Sequence, residues 1–144
     1  MGEAVSHSEA VEMIRELGEL LGFHARRDEQ TPDGLYKLDV AWREREEAQP
    51  LKVFEVEFSD IDRALMRLAC ADKHWKPEQL YLVVGDDKGA ERARKLAERG
   101  VFAEMFLKLE LVKVSDIASA YENLKRNKEL IRRLTKRTGK PSQS

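Results

Sequence analysis

The chain begins with apolar residues spaced three or four positions apart, which predicts an amphipathic helix over residues 8–21. Ser8 is the expected cap of this helix, and Gly22 is its expected end. A short strand is predicted over residues 23–27, and a Thr-Pro-Asp-Gly turn separates it from the segment that follows. The first part of the chain is therefore expected to be a helix followed by strands.

Two later segments alternate between apolar and other side chains, as strands with one buried face do. They cover residues 35–42 and 52–58, with a polar loop between them. If the two strands pair as a hairpin, their apolar positions should be buried together on one side of the sheet. These positions are Leu38, Val40, Trp42, Phe54, Val56 and Phe58.

The second half of the chain alternates between helical and strand patterns. An amphipathic helix is predicted over residues 60–75, and the apolar run at residues 80–84 indicates a buried, parallel strand. A polar helix over residues 89–99, a strand over residues 108–114 and a long helix over residues 116–137 complete the pattern. The order α-β-β-β-α-β-α-β-α predicts an α/β fold with a mixed central sheet flanked by helices.

The length of 144 residues is that of one domain. We predict a single domain over residues 1–138 that ends in a basic helix, and a flexible tail over residues 139–144. No apolar run is long enough for a membrane span, no signal peptide is apparent, and a single cysteine cannot form an internal disulfide. These features predict a cytoplasmic protein without membrane contact. One cysteine and three scattered histidines also argue against a structural zinc site.

Charge is distributed unevenly along the chain, although the net charge is only −1. Residues 1–60 contain 15 acidic and 7 basic residues, whereas residues 123–144 contain 8 basic residues and 1 acidic residue. A basic end favours an anionic partner, and a solvated helix end is the equally simple alternative. The cations expected to contact nucleic acid are Lys125, Arg126, Lys128, Arg132 and Arg133.

Three carboxylates lie on the two alternating segments, on the side opposite to the apolar residues. Asp39 belongs to the first segment, and Glu55 and Glu57 belong to the second. Neighbouring strands are ~4.8 Å apart, so a hairpin would bring these carboxylates together, where they repel each other unless a cation lies between them. Oxygen ligands at this spacing suit Mg²⁺ or Mn²⁺. The alternative is that all three face solvent.

The sequence around these carboxylates is PDGLYKLDV at residues 32–40 and FEVEF at residues 54–58. In its context of helix, three strands, helix and strand, it resembles the PD-(D/E)xK nuclease superfamily. The resemblance covers residues 8–84, more than half of the chain. It implies a restriction-endonuclease-like fold, in which a mixed central sheet is flanked by helices.

The resemblance also implies roles for individual residues. Asp39 and Glu55 would be the metal ligands, with Asp33 as the second candidate for the first position. Glu57 stands where the family usually has a lysine, and we expect it to assist catalysis as a base or further ligand. The positive charge of the missing lysine is expected to come first from Lys37, which shares the face of Asp39.

Further candidates lie on the two helices that flank these strands. The helix after the second alternating segment has cations beside its apolar stripe, which we expect to contact phosphate: Arg63, Arg67 and His74. Ordinary surface charges are the alternative for each. Members of the superfamily often place a glutamate of the first helix near the metal, and Glu9 and Glu16 are the candidates here.

Taken with the resemblance, these residues imply a metal-dependent, endonuclease-like phosphodiesterase that acts on DNA, or a subunit of such an enzyme. Mg²⁺ or Mn²⁺ would be the cofactor, DNA the partner, and a homodimer one of the expected assemblies. The alternative is a catalytically inactive module of nuclease fold that binds nucleic acid or protein, because the lysine is replaced. Whether the chain is a Mg²⁺-dependent deoxyribonuclease stays open at this point.

Overall fold

The computed structural model describes residues 4–136, except for the side chain of Val101. Its helices are α1 (His7–Leu20), α2 (Ile61–Trp75), α3 (Asp87–Ala97), α4 (Ala103–Phe106) and α5 (Val114–Thr135), with a 3-10 turn at Gly100–Phe102. Its strands are β1 (His24–Gln30), β2 (Lys37–Arg43), β3 (Lys52–Val56), β4 (Gln79–Val84) and β5 (Leu109–Lys113). The predicted tail over residues 139–144 and the end of the predicted domain lie outside the described residues.

The five strands form one mixed sheet in the order β1-β2-β3-β4-β5. The first three strands are antiparallel neighbours, whereas β3, β4 and β5 are parallel. The pairing of Val40 with Phe54 confirms the predicted hairpin of β2 and β3. The α/β class and the mixed sheet flanked by helices are thus as predicted, and the short helix α4 is an addition.

Side chains cap the helices that support the sheet. The cap of α1 is Ser6 rather than the predicted Ser8, because Glu9 completes a reciprocal pair of hydrogen bonds with Ser6. Asp60 caps α2 by accepting a hydrogen bond from the Arg63 main-chain N–H. Within residues 4–136, no helix combines the length and the apolar character that a membrane crossing requires.

Helices cover both faces of the sheet, so that the core has two layers. Helices α1 and α5 contact each other, and the buried residues on their face include Ile14, Val40, Trp42, Phe54, Val56 and Ile117. Helices α2 and α3 cover the other face, where the buried residues include Leu38, Val53, Leu65, Leu68, Leu80, Leu82 and Ala93. Both layers hold strand residues from the predicted hairpin.

The sequence predicted that all six apolar hairpin residues are buried on one side of the sheet, but two of them are not buried on the side where the other four lie. Leu38 is fully buried, but in the layer beneath α2 instead of the layer that contains Val40. The alternation of faces breaks between them at Asp39, opposite which Asp28 has a positive φ of 53°. Phe58 is 42% exposed, because β3 ends two residues before it.

The contact of α1 with β2 leaves no room for a side chain at Gly18. A Cβ atom there would lie 2.6 Å from Cε2 of Trp42, whose indole N–H donates to the Ile14 carbonyl at 3.1 Å. We expect Gly18→Ala to lower the free energy of unfolding by about 1–3 kcal/mol, because the overlap outweighs the ~1 kcal/mol helix preference of alanine.

Chemical denaturation of wild type and variant measures this difference. Gly100→Ala is the matched control, because a Cβ atom at Gly100 meets nothing within 4 Å. The packing account is wrong if the two variants are equally stable.

Candidate active-site cleft

Glu55 is a fully buried carboxylate in the middle of β3. Its Oε1 accepts a hydrogen bond from the Asp39 main-chain N–H at 2.8 Å. Its Oε2 lies 3.4 Å from Nη1 of Arg67 on α2. A buried carboxylate is costly unless hydrogen bonds and an opposite charge compensate it, and these two contacts offset part of that cost.

Asp39, on the neighbouring strand β2, makes the reciprocal hydrogen bond. Its Oδ2 accepts a hydrogen bond from the Val56 main-chain N–H at 2.8 Å, and Nε2 of His7 lies 3.3 Å from the same oxygen. The side chains of Asp39 and Glu55 thus each accept a main-chain N–H of the opposite strand. This exchange brings together the two carboxylates that the sequence singled out as metal ligands.

The environment of Glu55 disfavours its charge. Burial is the main cause, and the nearby charge of Asp39 adds to it, so that the pKa of Glu55 is raised to about 8. The Asp39 N–H and the Arg67 guanidinium act in the opposite direction and are outweighed. A further cation beside the two carboxylates would reverse this balance.

Asp39 opens onto a cleft of about 430 Å³ between the β1–β2 loop and α2. Three of the predicted cations line it, namely Lys37 at the start of β2 and Arg63 and Arg67 on α2. The complete lining is Asp28, Gln30, Gly34, Leu35, Tyr36, Lys37, Asp39, Arg63 and Arg67. The structure thus combines two carboxylates in the cleft lining, Asp28 and Asp39, with the buried Glu55 beside Asp39 and three positive side chains.

Glu57 is not part of this cleft lining. Its Oε2 accepts hydrogen bonds from the main-chain N–H groups of Phe58, Ser59 and Asp60, at 3.1–3.2 Å. The carboxylate therefore stabilises the turn between β3 and α2, because it satisfies N–H groups ahead of the helix. The expected role of Glu57 as a base or further ligand has no support in this arrangement.

His74 also lies apart from the carboxylate cleft, because it pairs with Asp33 in the β1–β2 loop. Nε2 of His74 is 2.8 Å from Oδ2 of Asp33. The Thr31 hydroxyl and the Leu35 N–H hold the pKa of Asp33 well below its usual range. Asp33 therefore belongs to a different cluster from Glu55, which favours Asp39 for the first ligand position.

The first helix contributes a histidine to the site instead of a glutamate. Glu9 takes part in the cap of α1, and Glu16 accepts a hydrogen bond from the Tyr121 hydroxyl of α5. His7 contacts Asp39 instead. The sequence offered no signal for His7, because it precedes the apolar stripe of the predicted helix.

The predicted nucleic-acid contacts on α5 form a separate surface. Among the described residues, none of α5 lines the cleft. All five cations are exposed, and Nζ of Lys125 lies 3.3 Å from the Tyr121 hydroxyl. The exposed cations are Lys125, Arg126, Lys128, Arg132 and Arg133.

Fold and cleft together define this chain as a mixed α/β protein with a paired-carboxylate cleft. Comparisons with protein-family models, curated proteins and solved structures found no match for it. Its function has to be inferred from the geometry and charge of the cleft.

The raised pKa of Glu55 predicts how stability depends on pH. Between pH 5 and 8 the folded protein holds a proton on Glu55 that the unfolded chain has lost, so its stability should fall as pH rises. Glu55→Gln lacks this titration. The difference in free energy of unfolding, Glu55→Gln minus wild type, should therefore increase by up to about 1.4 kcal/mol for each unit that the pH rises over this range.

Urea denaturation in metal-free buffer at several pH values measures the effect. Glu98→Gln, a change to an exposed glutamate at the end of α3, is the control and should run parallel to wild type. Parallel curves for Glu55→Gln as well would contradict the raised pKa.

Proposed function

We propose that this chain is a metal-dependent, endonuclease-like phosphodiesterase acting on DNA, or a subunit of such an enzyme. The observation that carries the proposal is the pairing of buried Glu55 with Asp39 at a cleft lined by cations. Paired carboxylates suit a divalent cation, and cations around them suit the phosphate of a substrate. The proposal agrees with the resemblance to the PD-(D/E)xK superfamily, in which these two positions are metal ligands.

The chemistry of the donor set fits Mg²⁺ or Mn²⁺. Asp39 and Glu55 are hard oxygen donors on adjacent strands, and their mutual repulsion is part of what raises the pKa of Glu55. Asp39 and Glu55 would hold the ion, which would lower the pKa of a bound water and stabilise charge on the phosphate. Because Glu55 is buried behind Arg67, access to Oε2 requires the Arg67 side chain to move aside.

Cations from other elements can replace the missing lysine of the family motif. Lys37, Arg63 and Arg67 line the same cleft as Asp39. Guanidinium groups bind phosphate oxygens through two parallel hydrogen bonds, so Arg63 and Arg67 suit the orientation of a phosphodiester. The Arg67 Nε is buried and lacks a hydrogen-bond partner among the described residues, so it can donate to a phosphate only after the side chain moves. We assign these three residues the binding of phosphate and the stabilisation of its developing charge.

Replacement of either carboxylate by the matching amide should remove most of the activity. Asp39→Asn and Glu55→Gln keep the shape of the side chains but weaken the charge that holds the cation. Each should lower Mn²⁺-dependent cleavage of DNA on the order of a hundredfold or more. Titration calorimetry should show loss of Mn²⁺ binding in both variants.

Asp116→Asn is the matched control, because Asp116 is an exposed aspartate in the first turn of α5, outside the cleft lining. It should bind Mn²⁺ and cleave DNA like wild type. Cleavage that persists in Asp39→Asn would refute the assigned site.

Two observations favour a second function, that of an inactive nucleic-acid-binding module. Both oxygens of Glu55 already have protein partners, and Glu57 stabilises a turn instead of facing the cleft. A protein of this kind would bind DNA through its cations and would need no metal. Wild-type protein that retains DNA but cleaves no duplex, branched or single-stranded form with Mg²⁺ or Mn²⁺ would establish this alternative.

Under either function, we propose that α5 adds affinity for the DNA backbone. Its cations are exposed and lie on one broad side of the helix, so binding should depend on charge and not on sequence. Replacing Lys128, Arg132 and Arg133 by glutamine should weaken binding and reduce the slope of log K against log salt by about 2–3. Fluorescence anisotropy with labelled duplex DNA at several salt concentrations measures this slope.

The matched control removes the same number of charges from α3 and the turn after it, as Arg92→Gln, Lys95→Gln and Arg99→Gln. These residues surround a different surface depression. Equal losses in both triple variants would show that net charge governs binding, and the specific role of α5 would be wrong.

A further inference from the structure

A second cluster of metal-binding side chains lies between α2 and the β1–β2 loop. Cys70 and His74 are one turn apart on α2, so they lie on the same side of the helix. Asp33 approaches them from the loop. A carboxylate oxygen, the Cys70 Sγ and an imidazole nitrogen all lie within 4.8 Å of one another.

The loop holds Asp33 in a fixed orientation toward the helix. Its Oδ1 accepts hydrogen bonds from the Thr31 hydroxyl at 2.6 Å and from the Leu35 N–H at 3.0 Å. Its Oδ2 points to the helix, 2.8 Å from Nε2 of His74 and 3.8 Å from the Cys70 Sγ. One oxygen thus organises the loop, and the other is free of loop contacts and directed at the two helical side chains.

We propose that Asp33, Cys70 and His74 bind Zn²⁺ as three protein ligands, with a fourth position left to water, which differs from the closed structural zinc site that the single cysteine argued against. Sulfur, nitrogen and oxygen donors in one cluster suit zinc, whereas Mg²⁺ and Mn²⁺ prefer oxygen donors alone. Ligand atoms of a tetrahedral zinc site lie ~3.3–3.8 Å apart. The sulfur–oxygen distance already has this value, and the histidine–aspartate contact needs to open only by several tenths of an ångström.

An ion pair of His74 with Asp33 is the simpler explanation of part of this geometry. It does not involve the thiol of Cys70, whose Sγ lies 3.8 Å from the same carboxylate oxygen, a distance that fits either an S–H···O hydrogen bond or two ligands of one zinc ion. A bond from the metal to the Cys70 thiolate therefore distinguishes a zinc site from an ion pair, and the experiment should detect that bond.

The zinc would join the two walls of the carboxylate cleft. Asp33 belongs to the loop that contributes Gly34, Leu35 and Tyr36 to the cleft, and α2 contributes its two arginines. The site is chemically distinct from the Asp39–Glu55 pair and does not depend on the phosphodiesterase function. Its consequence for the protein is a fixed distance between loop and helix.

Co²⁺ is the probe for this site, because a cobalt–thiolate bond gives a charge-transfer absorption band in the near ultraviolet. Wild-type protein in reducing buffer should develop this band up to one equivalent of Co²⁺, and one equivalent of Zn²⁺ should remove it. Competition with a chromophoric chelator then gives the affinity for Zn²⁺. Cys70→Ser should lose the band, and His74→Gln should weaken Zn²⁺ binding about tenfold or more, since even indirect partners of a metal site cost this much.

Two controls separate this site from other sources of binding. Asp39→Asn should keep the band and the Zn²⁺ affinity, so that failure of the phosphodiesterase site leaves this result unchanged. His24→Gln, a histidine at the start of β1, should also behave like wild type. The proposal is overturned if wild type shows no thiolate band at one equivalent, or if Cys70→Ser or His74→Gln binds Zn²⁺ as tightly as wild type.

Discussion

The cleft depends on a carboxylate that is buried between two strands and a helix. Glu55 can occupy the interior because its oxygens accept from the Asp39 N–H and meet the Arg67 guanidinium. Asp39 in turn accepts the N–H of Val56. In a regular pair of strands, main-chain carbonyl oxygens accept the hydrogen bonds of the main-chain N–H groups. Here the side chains of Asp39 and Glu55 accept two of them, so the same hydrogen bonds position both the strands and the carboxylates. The burial that raises the pKa of Glu55 is a consequence of this arrangement.

Helix α2 supplies the polar side chains that lie beside the Asp39–Glu55 pair. Its polar side chains at Arg63, Arg67, Cys70 and His74 recur every three or four residues, so they form a second stripe beside the apolar one that packs on the sheet. The first half of the stripe lines the cleft, and the second half meets the β1–β2 loop. One helix face thus supplies positive charge at one end and the donors of the proposed zinc site at the other, and the loop contacts both.

Local patterns in the sequence determined the class of fold and the pair of carboxylates. The hydrophobic periods identified the helices and strands, because the burial of one face imposes a period of 3.6 or 2 on neighbouring residues. The hairpin of β2 and β3 then made Asp39 and Glu55 neighbours, and the structure places them in contact. Element ends were less well predicted, as at Ser6, because a cap depends on a few hydrogen bonds and not on a repeated pattern.

Only the tertiary structure decided which other side chains contact the carboxylate pair and which form a separate cluster beside it. His7 meets Asp39 across 32 residues of chain, and His74 meets Asp33 across 41, so no local pattern could show these pairs. Glu57 has the residue type and spacing of a ligand, yet it binds the N–H groups of the turn that follows it. Periodicity also assumed an unbroken strand, which the irregular backbone opposite Asp39 does not provide. Sequence periods report burial averaged over an element, whereas a site is built from single contacts between elements that meet only after folding.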